Sequence, residues 1–238
     1  MPPRLTSRRS RVASVLLGGV VAALVLAGCG GSGGGSGGSP EDVVAAAKKN
    51  LDETSGVHLT LHTDDLPDGV NGVVDAEGTG THAPAFEGTI TVTLSGQPFQ
   101  VPVVAVDDKV YVQLPLTSGW QDIDPAQYGA PDPAHLFDTD AGFSSLLAET
   151  TDLEKGDTVR GGQDNKEVLT EYTGTVPGEV VTNFIPTASG DFDATYTITD
   201  DDELREATLT GVFYEDADPM TYTVTFDDYG TEKDITAP

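Results

Sequence analysis

From residue 57 onward the chain repeats one pattern that leaves little choice of architecture: apolar and polar residues alternate with period two. Val57, Leu59 and Leu61 alternate with His58, Thr60 and His62; Ile90, Val92 and Leu94 with Thr89, Thr91 and Thr93; and Phe99, Val101, Val103 and Ala105 continue the theme. Farther on, Phe192, Ala194, Tyr196 and Ile198, then Met220, Tyr222, Val224 and Phe226, alternate with Thr and Asp. Successive side chains of a strand point to opposite sides, so each segment is a strand with one apolar face and one threonine-rich, solvated face. Asp107-Asp108, Gly161-Gly162 and Asp200-Asp201-Asp202 interrupt these runs as turns, which gives a meander of about nine or ten strands.

A sheet with one apolar face needs a cover, and the sequence supplies helices for it. Ser39-Pro40-Glu41-Asp42 starts a helix with Ser39 as N-cap, Pro40 in the first turn and carboxylates beside the positive end of the dipole. It is expected to run to about Thr54, with Val43, Val44, Ala47 and Leu51 on one face. Shorter helices are expected at Asp132–Phe137, Ala141–Glu149 and Pro177–Phe184. The sum is an α+β fold, a large antiparallel sheet whose apolar face is covered by helices.

The N-terminal end carries an address. Arg4, Arg8, Arg9 and Arg11 form a basic segment, and Val12 to Leu26 an apolar one of 15 residues, shorter than the roughly 20 of a stable membrane span. Leu26-Ala27-Gly28 precedes Cys29, the one cysteine of the chain. This is the pattern of a bacterial lipoprotein signal: residues 1–28 are expected to be removed and Cys29 to carry a lipid anchor. Export by the general secretory route is favoured, since Arg8-Arg9 lacks the large apolar residues that follow a twin-arginine signal. With that thiol acylated no disulfide is available. Gly30 to Ser39 contains only Gly and Ser and forms, with Cys29, a flexible tether (29–39) of roughly 17–19 Å root-mean-square reach. One domain is expected over 40–238, on the extracytoplasmic side of the cell membrane.

Beyond Cys29 eight basic residues face 39 acidic ones, a net charge of −31. Such a domain repels phosphate backbones, so nucleic-acid binding is disfavoured, and attachment to a membrane depends on the lipid rather than on a basic face. Enzyme chemistry finds little support. The tether matches the G-x-S-x-G pattern but lacks the flanking strand and helix that strain a nucleophilic serine. His58 and His62 share a strand face without a third metal ligand. Asp138, Asp140 and Gly142 match part of a calcium loop whose other ligands are missing. No metal, cofactor or catalytic group is expected.

Several runs together carry a resemblance: Tyr111 to Trp120, Asp132-Pro133-Ala134 leading into Leu136, Gly142-Phe143 to Leu147, and Asp157-Thr158-Val159 before Gly161-Gly162-Gln163. They resemble the LppX/LprA/LprF/LprG lipoproteins of mycobacteria and related actinobacteria, nearest to the LprG branch. The resemblance implies a curved antiparallel half-barrel similar to LolA and LolB, with helices on its concave side and a hydrophobic cavity between the layers. It further implies a ligand that is an acylated lipid or glycolipid of triacylated or triacylglycerol type, a carrier role across the envelope space, and for some members a major-facilitator efflux transporter as partner. By the same resemblance Ile90 lines the cavity, with Val92, Leu94, Val101 and Val103 beside it on the strands and Leu136, Phe137, Phe143, Leu146 and Leu147 in a lid. Carriage has a physical rationale: a sixteen-carbon chain transfers from water with about 12 kcal/mol, so several such chains leave a bilayer only into an equally apolar enclosure. The alternative is an envelope lipoprotein of the same fold that acts as scaffold or transporter accessory. The threonine-rich outer faces favour a monomer.

Overall fold

The computed structural model describes residues 38–115, 117–128, 130–162 and 165–238, and every described element lies in one compact unit, Gly34–Pro238. Cys29, expected to carry a lipid anchor, and the expected signal segment fall outside the described residues. Helix α1 (Pro40–Glu53) begins as the sequence predicts, in a complete capping box: the Ser39 side chain accepts from the Asp42 N–H at 3.3 Å and Asp42 Oδ2 accepts from the Ser39 N–H at 3.1 Å. Its buried residues are Val43, Val44, Ala47 and Leu51.

Eleven strands form one antiparallel sheet: β1 (Gly56–His62), β2 (Gly72–Thr81), β3 (Ala85–Leu94), β4 (Gln97–Val106), β5 (Lys109–Val112), β6 (Gln121–Ile123), β7 (Thr151–Gly161), β8 (Glu167–Val176), β9 (Ser189–Thr199), β10 (Leu204–Val212) and β11 (Met220–Asp227). Their order is β6-β5-β4-β3-β2-β1-β11-β10-β9-β8-β7, so the first and last strands meet in the middle, from His58 opposite Asp227 to His62 opposite Thr223. The edge strands β6 and β7 do not pair with each other, and the sheet is an open, curved half-barrel. Register shifts in β2, β7 and β10 provide the local bends that curvature requires. The strand count exceeds the nine or ten expected, one addition being the three-residue β6, too short to show a period.

The pattern assigns the two faces correctly. Inward lie Val57, Leu59, Phe86, Val101, Val103, Ala105, Tyr172, Phe192, Tyr196 and Phe226, all in one buried cluster. Outward, threonines pair hydroxyl to hydroxyl across strands: Thr60 with Thr225 at 2.7 Å, Thr210 with Thr221 at 2.9 Å and Thr208 with Thr223 at 3.3 Å. A small outer cluster of Ala85, Val104 and Ile235 seats the C-terminal tail. The acidic doublets do mark turns, with Asp107, Asp108, Asp202 and Asp228 at positive φ.

On the outer face Glu171 and Glu206 both oppose Thr197, one from each neighbouring strand. Burial, and the charge of Glu171, raise the Glu206 carboxyl above the ordinary carboxylate range. A carboxyl raised on folding favours the folded state only while protonated, and that contribution is lost as pH rises through the folded pKa. Glu206→Gln is therefore expected to raise the urea midpoint at neutral pH. The gain should shrink toward pH about 4, where the unfolded carboxyl is itself half protonated; a gain independent of pH would place its cause elsewhere.

The remaining helices cover the concave face. A 3-10 turn (Pro133–Phe137) follows Asp132, whose carboxylate accepts from the Ala134 N–H at 2.9 Å; α2 spans Phe143–Glu149 and α3 only Gly178–Val181. All three fall within the segments predicted as helices, shortened. The 3-10 turn packs on β2, β3 and β4, while α1 packs on α2, β7 and β10.

Candidate functional site

The space between sheet and helices is where a ligand of this fold class would sit, and aromatic rings seated on glycines define it. Gly80 on β2 leaves room for the Phe137 ring, which a Cβ at that position would overlap, and Gly78 and Gly88 do the same for Phe86. The rings thus lie against bare backbone. Phe137 meets His82 edge-on at 6.3 Å, and the His82 ring donates from Nε2 to the Leu51 carbonyl at 2.6 Å, tying α1 to the end of β2. Phe143 stacks on Phe184 at 5.7 Å and meets Phe226 edge-on at 6.0 Å.

These contacts close the interior. Between the layers lies a cavity of about 10 Å³ lined by Leu51, His82, Leu136, Phe137, Asp138, Phe143, Ser144 and Phe226, room for about one water molecule against the roughly 300–1,000 Å³ of a small-ligand site. Phe137 and Phe143 fill the space on either side of this small cavity. A larger recess of about 360 Å³, lined by Asp140, Ser145, Glu149, Glu179, Val180 and Asn183, is acidic and open to solvent, unsuited to an acyl chain.

The predicted site residues divide into three groups. Val101, Val103, Phe137, Leu146 and Leu147 are buried in the core; Ile90, Val92, Leu136 and Phe143 are half-buried against it. Leu94 lies on the expected face but is 43% exposed, as is its neighbour Phe99 at 38%, because strands β3 and β4 run on past the helices that cover their inner ends. Of the predicted residues only Leu136, Phe137 and Phe143 line the small cavity. Leu51, His82 and Phe226 line it as well. The spacing of α1 and the alternation of β11 show that Leu51 and Phe226 point inward, but not that they converge.

Few polar bonds hold the lid. Lys48 on α1 donates to the Thr139 carbonyl at 2.9 Å and to Ser144 Oγ at 3.3 Å, and pairs with Asp52 at 2.6 Å. Thr150, at the end of α2, donates to the Leu146 carbonyl at 2.6 Å and shares a 2.7 Å hydrogen bond with the Tyr196 hydroxyl, whose pKa burial pushes up to about 12. His58, His62 and Asp138 make local pairs. His62 pairs with Asp75 at 2.7 Å and Asp64 at 3.2 Å on the solvated face, and these carboxylates raise its pKa. His58 lies 3.6 Å from Glu77. The Asp138 carboxylate accepts from the Asp140 and Ala141 N–H groups at 2.8 and 3.0 Å, which hold it below the usual range. Among the described residues no three His, Cys, Asp or Glu side chains gather to hold a metal ion, and no helix is long and apolar enough to cross a membrane.

LprF from Mycobacterium bovis superposes with a TM-score of 0.66 at 15% identity, over 84% of this chain and 96% of that one. LppX from Mycobacterium tuberculosis does so with a TM-score of 0.60 at 19% identity, over 83% and 98%. At such identities the likeness speaks for the fold. No curated protein sequence gives a significant match. The model of the LppX_LprAFG lipoproteins matches residues 39–237, from the N-cap of α1 to the penultimate residue. The chain belongs to the LppX_LprAFG lipoprotein family.

Proposed function

We propose that this protein is a membrane-anchored lipoprotein that takes acyl chains of a lipid or glycolipid between its sheet and its lid and carries them across the cell-envelope space. Cys29 is the anchor in this reading, and 40–238 the carrier domain. The observation that carries it is an apolar track on the inner faces of β3 and β4. The track runs from exposed Leu94 and Phe99, through half-buried Val92 and Ile90, to buried Val101, Val103 and Phe86, and its interior end is stopped by the Phe137 ring. Acyl chains entering along it would displace Phe137 and lift a lid made of short pieces with few polar ties. Burial of each methylene supplies about 0.8 kcal/mol toward that opening.

The domain purified without its anchor, extracted with organic solvent and weighed in its native state, is expected to yield acyl lipid and to take up a fluorescent acyl lipid. An empty protein that also refuses the probe would sink the carrier reading and favour a scaffold or transporter accessory with a closed interior. Ile90 pairs with Val101 across the track. Ile90→Trp is expected to preserve the fold and lower uptake roughly tenfold, as an overfilled site costs roughly 1–3 kcal/mol. Unchanged uptake would mean that lipid enters elsewhere.

A further inference from the structure

We infer that the β3–β4 hairpin is a membrane-docking element that inserts its tip into an electrically neutral lipid surface. The first observation is charge. In a chain with 51 charged residues, residues 88–121 contain three, Asp107, Asp108 and Lys109. All three lie at the β4–β5 turn, the end of β4 remote from the β3–β4 tip. Between 88 and 106 there is none. A domain with a surplus of 31 negative charges beyond Cys29 is repelled by anionic surfaces nearly everywhere else.

The second observation is exposure. Of the four large apolar residues exposed in the described structure, Leu94, Phe99 and Leu114 belong to this neutral stretch. Leu94 and Phe99 flank a tight turn at Ser95-Gly96, both at positive φ, and share the inner face of the sheet through the Leu94–Gln97 and Val92–Phe99 pairs.

A second strand is a poor occupant. Beyond β3, the outer half of β4 has no partner, since β5 pairs only from Val103 onward. The Pro102 carbonyl points away from β3 and accepts from the Gln113 N–H. By the antiparallel alternation the backbone groups of residues 98, 100 and 102 face this free edge, and two of the three are proline, with no N–H to offer. The edge is closed to strand addition while the apolar side chains stay exposed. That combination fits a fluid hydrocarbon surface, which needs apolar contact and no backbone donors. An anchored Cys29 on a tether of roughly 17–19 Å reach keeps the domain next to such a surface; the inference rests on that anchorage, not on lipid carriage.

The test uses the full lipidated protein. Because Cys29 is the only cysteine and its thiol is acylated, Leu94→Cys introduces a single free thiol for an environment-sensitive fluorophore, with Asp108→Cys as the control on the other rim. In phosphatidylcholine vesicles the probe at 94 is expected to shift to the blue and be quenched by spin-labelled lipid, and the probe at 108 to read as in water. Phe99→Asp in the labelled background should lower the inserted fraction about tenfold. Phosphatidylglycerol should weaken insertion and added salt restore it, because screening relieves repulsion of the acidic domain. A probe at 94 that reads like the one at 108 overturns the inference. So does a shift that appears without vesicles, from bound lipid or a second copy. Insertion by a protein that takes up no acyl lipid would refute carriage and leave docking standing; lipid uptake without insertion would do the reverse.

Discussion

Phe137→Ala is expected to lower stability and raise lipid retention at once. The ring is buried against Gly80 and ends the apolar track. Its removal from the lipid-free protein takes away the burial and leaves a void, a loss of about 3–5 kcal/mol for a buried phenylalanine. In the lipid-loaded form proposed here the ring has already left that seat, so the loaded form loses less. A ligand's apparent affinity is reduced by whatever stabilises the closed state it must open. Truncation removes that opposition, and acyl-lipid affinity should rise about tenfold for each 1.4 kcal/mol of ring docking abolished. Urea unfolding of delipidated protein gives the first quantity, and native-mass occupancy at fixed lipid gives the second. If both fall together, Phe137 is ordinary core and the lipid does not use its seat.

The second large effect is alkaline unfolding. Among the described residues, four tyrosine hydroxyls on buried or half-buried residues are held in hydrogen bonds: Tyr196 with Thr150 at 2.7 Å, Tyr214 with Tyr222 at 2.9 Å, Tyr222 with the Val73 carbonyl at 2.7 Å and Tyr229 with the Leu204 carbonyl at 2.8 Å. Burial raises the pKa of all four, that of Tyr196 to about 12. An unfolded tyrosine ionises near pH 10. Above that value the unfolded chain holds fewer protons than the folded one, so stability present below about pH 10 is lost as pH rises. Each tyrosine that stays protonated in the fold contributes about 1.4 kcal/mol per pH unit above pH 10, so several together make the loss steep against an ordinary domain stability of about 5–15 kcal/mol. Urea midpoints followed from pH 8 upward, with tyrosinate absorbance as the second probe, test this. Tyr196→Phe should make the loss less steep. Ionisation of these tyrosines near pH 10 while the protein is still folded would refute it.

Several features are readable from the chain alone. The capping box at Ser39 and Asp42 is a local arrangement, complete within four residues, and needs nothing from the rest of the chain. The facing of Ile90, Val92, Val101 and Val103 follows from alternation, since a paired strand cannot turn one side chain without turning all of them. The short helices were located but overextended: Pro177–Phe184 contains only the four helical residues of α3, because turns and tertiary packing, not helix propensity, hold segments of that length. Leu94 was assigned to the right face and yet lies outside the lid, since period two says nothing about where a cover ends.

The sequence by itself determined the two faces of the sheet and the layer that must cover one of them, because each rests on the order of neighbouring residues. Only the tertiary structure decided what fills the space beneath the lid and where the apolar face meets the outside. Phe137 reaches Gly80 across 57 positions of chain, and the neutral hairpin extends past helices that come later in the sequence. Such distances between layers are set by which side chains meet, and a periodic pattern carries no record of that meeting.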